Sequence, residues 1–287
     1  MSVERVLPKT LDYTDVLPLA VESKSRRRTF FPNNGASFVS GGANIIRIDL
    51  SADALLDTQH SYLAFTFTAG AQTVGFDYAG GHSFIRRLRI EQSGTVLEDI
   101  QHYNRLMGAV VLPCQSTSEH KKTRTLTEGI RAAGAPSAAI NVQAVPIVTA
   151  NQPSTDLAHG LVNNPNNQVA NGASYRFCIP LTSGLMNSDK LVPLMLMSAP
   201  LTIEIELESA NAALCSAVGA SDYTIDNVRY IANLVEVGQD VSQQLRMLQE
   251  VSGGVLTLAG QTYRHFQGEK GNLAQTNVIN VPARVKS

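Results

Sequence analysis

The sequence predicts an all-β jelly-roll sandwich. Three observations lead there. Roughly seven or eight short runs before residue 240 alternate apolar and polar residues, the period of a strand with one face in a core. Gly- and Pro-rich turns separate those runs, as in sandwiches and jelly rolls. No G-x-G-x-x-G or P-loop pattern and no alternation of strands with helices points to a parallel sheet.

The clearest element lies in Phe177–Glu208. Leu201, Ile203, Ile205 and Leu207 alternate with Thr202, Glu204, Glu206 and Glu208, so one face belongs to a core and the other is acidic. Upstream, Phe177, Ile179 and Leu181 read as the end of another strand. Leu191–Met197 reads as a short apolar helix or loop.

Earlier in the chain, residues 1–40 read as an arm broken by Pro8, Pro18 and Pro32, with a basic cluster at Arg26, Arg27 and Arg28. Such arginines suit phosphates of nucleic acid or another anionic surface. A solvated patch or a contact with a neighbouring subunit fits so short a run better. Ile46, Ile48 and Leu50 mark a strand, and SADALLDTQH (51–60) reads as a turn. Leu63, Phe65 and Phe67, then Leu88 and Ile90, mark further strands, and Ser93-Gly94 turns the chain.

From Val96 to Val111 the spacing changes. Leu97, Ile100, Asn104, Met107 and Val111 predict one face of a short helix, ended by Pro113. Residues 114–172 form a long aperiodic insertion, with a possible helical turn at Thr127–Ala133. Leu214–Ser221 reads as a small-residue loop and Tyr223–Val237 as a long strand. Asp240 with Gln243 resembles a capping box for a helix whose apolar face is Val241, Leu245, Leu248 and Val251, and Gly253-Gly254 stops it. Thr262–Phe266 and Val278–Val285 are candidate strands.

Composition narrows the function. Of 287 residues only 16% are charged and 44% are apolar, which suits a surface covered in an assembly. The formal net charge of −1 gives no global pull toward nucleic acid or membrane. Cys114, Cys178 and Cys215 form no C-x-x-C pair and read as ordinary buried or half-buried thiols, with a reducing compartment expected. No run of apolar residues reaches membrane-spanning length, and no secretory signal is expected. His60, His82, His102, His120, His159 and His265 are scattered without metal-ligand spacing, and there is no G-x-S-x-G elbow. No catalytic, cofactor-binding or metal residue is assigned, and no enzyme activity is expected. Glu204, Glu206 and Glu208 are expected to pair with arginines such as Arg87 and Arg89 rather than to do acid–base work.

Three stretches carry a resemblance. Phe84–Asn104 (FIRRLRIEQSGTVLEDIQHYN), Phe177–Leu207 and Tyr230–Leu248 (YIANLVEVGQDVSQQLRML) together resemble the double-jelly-roll major capsid proteins of DNA viruses, the lineage of nucleocytoplasmic large DNA viruses, virophages and polinton-like viruses. Where many relatives carry an acidic–arginine pair, Gln239-Asp240 and Gln243-Gln244 stand here, which leans toward the smaller, divergent members. The resemblance implies a first jelly roll over 41–238 with the 114–172 insertion loop, a linker helix over 239–254, and the start of a second jelly roll, or strands swapped with a neighbour, over 255–287. A portion of a longer protein would have this organisation. It further implies a homotrimeric, pseudo-hexameric capsomer, self-assembly with neighbouring capsomers and minor capsid proteins into an icosahedral virion shell, and synthesis in the host cytoplasm or nucleus. The arm around Arg26, Arg27 and Arg28 would face a neighbour, the internal membrane or the genome. No cofactor and no small-molecule substrate are implied. The alternatives are a minor capsid or penton protein and a cellular lectin-like jelly-roll module. The absence of tryptophan, the usual sugar-stacking residue, speaks against the lectin.

Overall fold

A computed structural model describes residues 23–40, 42, 44–72, 74–76, 79–115, 127–129, 168–169, 171–188, 190–215, 222–251, 253–254 and 262–266. Its strands, in chain order, are β1 (Ser23–Phe30), β2 (Ser37–Val39), β3 (Ile45–Leu50), β4 (Leu55–Thr68), β5 (Val74–Phe76), β6 (Ile85–Gln92), β7 (Thr95–Gln101), β8 (Gln168–Val169), β9 (Ser174–Ile179), β10 (Val192–Pro193), β11 (Leu201–Leu207), β12 (Leu214–Cys215) and β13 (Thr224–Val237).

Two sheets face each other. In the first, β1 and β2 pair along one side of β13, β13 pairs with β4, and β4 pairs with β9 and β10. The second runs β3-β11-β6-β7. All pairings are antiparallel. The chain passes from β2 in the first sheet to β3 in the second, back to β4, across to β6 and β7, back to β9, across to β11 and back to β13. This wiring is a jelly roll: two antiparallel sheets joined by Greek-key connections.

The core explains the alternation. Leu201, Ile203, Ile205 and Leu207 are buried on β11, Ile46, Ile48 and Leu50 on β3, and Leu88 and Ile90 on β6. From the facing sheet come Leu63, Phe65 and Phe67 of β4 and Ile225, Tyr230, Ala232 and Leu234 of β13. An aromatic cluster closes one end. Phe67 lies 5.1 Å from Phe84 between ring centroids, Phe84 lies 5.1 Å from Tyr223, and Phe177 lies 4.9 Å from Phe76. Large rings buried in contact stabilise through the apolar area removed from water and through the ring–ring contacts themselves. At this end three connections are gathered into a small third sheet, β12-β5-β8.

Four expectations are corrected. Residues 55–60 belong to β4, because Leu55, Leu56 and Asp57 pair with Val235, Leu234 and Asn233. Val96–Gln101 is strand β7, not the first turns of a helix. A bulge explains the misleading spacing: Ile90 pairs with Glu98 and Glu91 with Val96, so Leu97 is an extra residue that breaks the two-residue period. The Ser93-Gly94 turn holds both residues at positive φ, 49° and 78°, as a tight hairpin requires. The helix begins at Tyr103 and does not end at Pro113. It widens into a π turn over Met107–Val111 and continues as Leu112–Gln115. That widened turn accommodates Pro113, which has no N–H to give. Thr262–Phe266 forms no strand.

Ser23–Phe30 and Ser37–Val39, read from sequence as part of an arm, pair with β13. The helix Gln239–Val251 follows β13, with Gly253 and Gly254 at positive φ closing it. None of its residues is buried, so its expected apolar face meets no core among the described residues. Val278–Val285 and most of 114–172 lie outside the described residues.

Candidate interaction surfaces

The outer face of the second sheet carries a charge ladder. β11 sits between β3 and β6, so Glu204 stands opposite Arg47 on one side and Arg89 on the other. Arg47 Nε donates to Glu204 Oε2 at 2.8 Å, and Arg89 Nη1 lies 3.7 Å from Oε1. Glu206 pairs with Arg86 at 3.3 Å. Arg87 instead forks onto Asp99 of β7, with bonds of 2.7 and 2.6 Å. That hydrogen-bonded fork holds the Asp99 carboxyl below its ordinary range and raises the Arg87 guanidinium. Glu208 turns inward, accepting from Asn104 Nδ2 at 3.0 Å and from the Ser209 N–H at 2.9 Å. The three glutamates therefore converge on no cleft. Of the two expected partners, Arg89 reaches Glu204, whereas Arg87 is taken by Asp99.

Strand β1 is different. It is the outermost strand of its sheet, and Ser23–Thr29 are exposed on both faces, with only Phe30 buried. Its register places Arg26 opposite Leu234, Arg28 opposite Ala232 and Phe30 opposite Tyr230. Leu234, Ala232 and Tyr230 are buried, so Arg26 and Arg28 occupy core-side positions at the sheet margin. Arg26 meets Glu236 at 2.6 Å. Arg28 lies 4.9 Å from the Phe30 ring centroid and donates to the Ser51 carbonyl at 3.3 Å. Charges on the inner side of an edge strand keep it from open-ended sheet pairing. They also leave a basic strip, beside which Phe31 is 66% exposed.

Beneath the loop end lies a buried polar network. His82 is fully buried, with Nε2 3.4 Å from Glu128 Oε2 and Nδ1 3.5 Å from Tyr103 Oη. Tyr103 Oη also accepts the Thr182 N–H at 2.9 Å, and burial raises the phenol above its ordinary range. Glu128 comes from the insertion, so this network ties the insertion to the sandwich. Glu98 is buried too. Its carboxylate accepts the Gly184 and Leu185 N–H groups at 2.8 and 3.1 Å and fixes the loop before β10. Sequence periodicity missed both groups, since each joins segments far apart in the chain.

The remaining titratable residues are dispersed. His60 is exposed beside Asp57. His102 is half-buried against His265, and His120 and His159 lie outside the described residues. Cys114 is exposed, contrary to the expectation of a buried or half-buried thiol, while Cys178 is half-buried as expected and burial raises its pKa. Among the described residues no group of three or more His, Cys, Asp or Glu is placed to hold a metal ion.

No family model and no curated protein matches the sequence. The solved structures similar to this chain include viral major capsid proteins. The Faustovirus major capsid protein is 10% identical with a TM-score of 0.43, over 79% of this chain and 56% of its own. PBCV-1 VP54, fitted into a reconstruction of the virophage Sputnik, is 11% identical with a TM-score of 0.45, over 81% of this chain and 46% of its own. The mavirus major capsid protein is 12% identical with a TM-score of 0.37, over 83% of this chain and 53% of its own. The chain thus spans about half the length of the structures it matches.

Proposed function

We propose that this chain is a structural capsid subunit, the first jelly roll of a double-jelly-roll major capsid protein, with no catalytic role. One observation carries the reading. The three stretches on which the sequence resemblance rests fold as successive parts of one jelly roll. Phe84–Asn104 is the β6–β7 hairpin and the start of the helix after it. Phe177–Leu207 takes the chain from β9 through β10 to β11. Tyr230–Leu248 is the second half of β13 and the helix that leaves it.

On this reading three copies form a pseudo-hexagonal capsomer that tiles an icosahedral shell with neighbouring capsomers and minor capsid proteins. The end capped by β5, β8 and β12, with the insertion, builds surface loops. β1 is a contact strand toward a neighbouring subunit; the genome or an internal membrane is the second reading of its arginines. The helix Gln239–Val251 links to a second jelly roll, which would cover its exposed Met247, Leu248 and Val251. Negative-stain electron microscopy of the purified protein tests this. Trimeric particles of hexagonal outline are expected, and particles of a single sandwich at all concentrations would refute it.

A further inference from the structure

The outer face of the first sheet carries positive charge that its own acids do not meet. The registers place Arg229 of β13, Ala64 of β4 and Cys178 of β9 in one row, and Asp226, Thr66 and Arg176 in another. Arg27 of β1 stands at the margin, in the row of Asn233 and Asp57. These positions alternate with the buried Tyr230, Phe65, Phe177 and Ile179, so they point away from the core. Arg27, Arg176 and Arg229 are exposed, and among the described residues none of the three makes an ion pair. Two carboxylates share the face. Asp57 is already held by His60 at 2.7 Å and by the Asn233 amide at 3.1 Å. Asp226 makes no ion pair among the described residues. On the second sheet, by contrast, Arg47, Arg86, Arg87 and Arg89 are all met by acids. Apolar groups lie between the unmet arginines: Ile231 and Tyr62 are paired across the strands and half-buried. Arginine mixed with tyrosine and aliphatic side chains is the composition of a surface that takes protein.

The chain itself carries a segment of matching chemistry. Residues 11–22, LDYTDVLPLAVE, contain Asp12, Asp15 and Glu22 and no lysine or arginine. Half of them are leucine, valine or tyrosine. They run directly into Ser23, the first residue of β1, at the edge of this same sheet. Extended, such a segment reaches about 40 Å, and the face from β1 to β9 is about 15 Å wide. The short tether keeps the effective concentration of its carboxylates in the millimolar range, so weak pairs suffice to seat it.

We propose that residues 11–22 fold back over the outer face of the first sheet of their own chain, with Asp12 and Asp15 meeting Arg176 and Arg229 and the aliphatic side chains covering Ile231 and Tyr62. The core-side Arg26 and Arg28 take no part, so β1 keeps their charge for a neighbour, and the fold-back needs no second subunit.

Cys178 reports on this cover, because it lies in the row of Arg229 and is half-buried. Its alkylation by N-ethylmaleimide in the full chain, read peptide by peptide with the exposed Cys114 as reference, is the test. Asp12→Asn combined with Asp15→Asn should speed Cys178 about fivefold, the scale of two exposed ion pairs, and leave Cys114 and the melting temperature unchanged. Arg176→Gln combined with Arg229→Gln should speed it too, although Arg229 lowers the thiol pKa and its loss alone would slow the reaction. All four changes together should react no faster than the first pair, because both pairs break the same contact. Unchanged rates in both double variants would overturn the proposal, and so would effects that add. Protection of Cys178 that rises with protein concentration would place the segment on a neighbouring chain. A single-stranded oligonucleotide that slows Cys178 in the natural chain at physiological salt would show the face open to a polyanion. Either result would also overturn it.

Discussion

β11 and β1 each carry charge of a single sign, acidic on one and basic on the other, and they treat it in opposite ways. β11 lies in the middle of its sheet. Its acids are met from both sides by Arg47, Arg86 and Arg89, so the ladder closes within one chain. β1 lies at a margin, and of its three arginines only Arg26 has an ion pair among the described residues. Charge that is balanced inside the fold serves the fold. Charge left over on a strand exposed on both faces is available to something outside it.

That contrast can be broken or sharpened by mutation. Glu204→Ala is expected to have the largest effect on stability. It removes the carboxylate between Arg47 and Arg89; the Arg47 side chain is half-exposed to water and Arg89 keeps Glu91 at 3.4 Å, so the loss is about 1 kcal/mol, measured as a fall in the urea midpoint with an unchanged slope. A loss within error of zero would show that the ladder is ornamental to folding. A smaller effect is expected in acid. Because Arg87 holds the Asp99 carboxyl low, the support this pair lends is present above the ordinary aspartate value of about 3.9 and is lost as pH falls through the lowered value. Melting temperatures followed from pH 5 to pH 2 should fall less steeply in Asp99→Asn than in the natural chain. Equal slopes would contradict the assignment.

How much of this could be read from the chain follows from the same physics. The β11 alternation was legible because one face is buried and the other is not, and its pairing with arginines followed from chemistry. β13 and β3 were legible for the same reason. β7 was not, because one bulged residue, Leu97, turned a two-residue period into a three-residue one. Residues 55–60 were not, because LLDTQH has no clean alternation and owes its strand to pairing with β13. Of the interaction surfaces, the Arg26–Arg28 cluster was visible as composition, but its place on a paired strand was not. The His82–Tyr103–Glu128 network and the His102–His265 contact join residues with no local pattern between them, and only the folded chain brings them together.

The claim that unbalanced charge on β1 marks a subunit contact is tested most directly by one comparison. The natural chain and a variant with Arg26, Arg27 and Arg28 all changed to Ser are run side by side in sedimentation velocity, with melting temperature as the control for folding. An exposed pair such as Arg26–Glu236 contributes about 0.2–1 kcal/mol, so the variant should melt within about 3 °C of the natural chain. Its mass should nevertheless fall from that of a trimer to that of a single chain. A variant that assembles as the natural chain does would contradict the account.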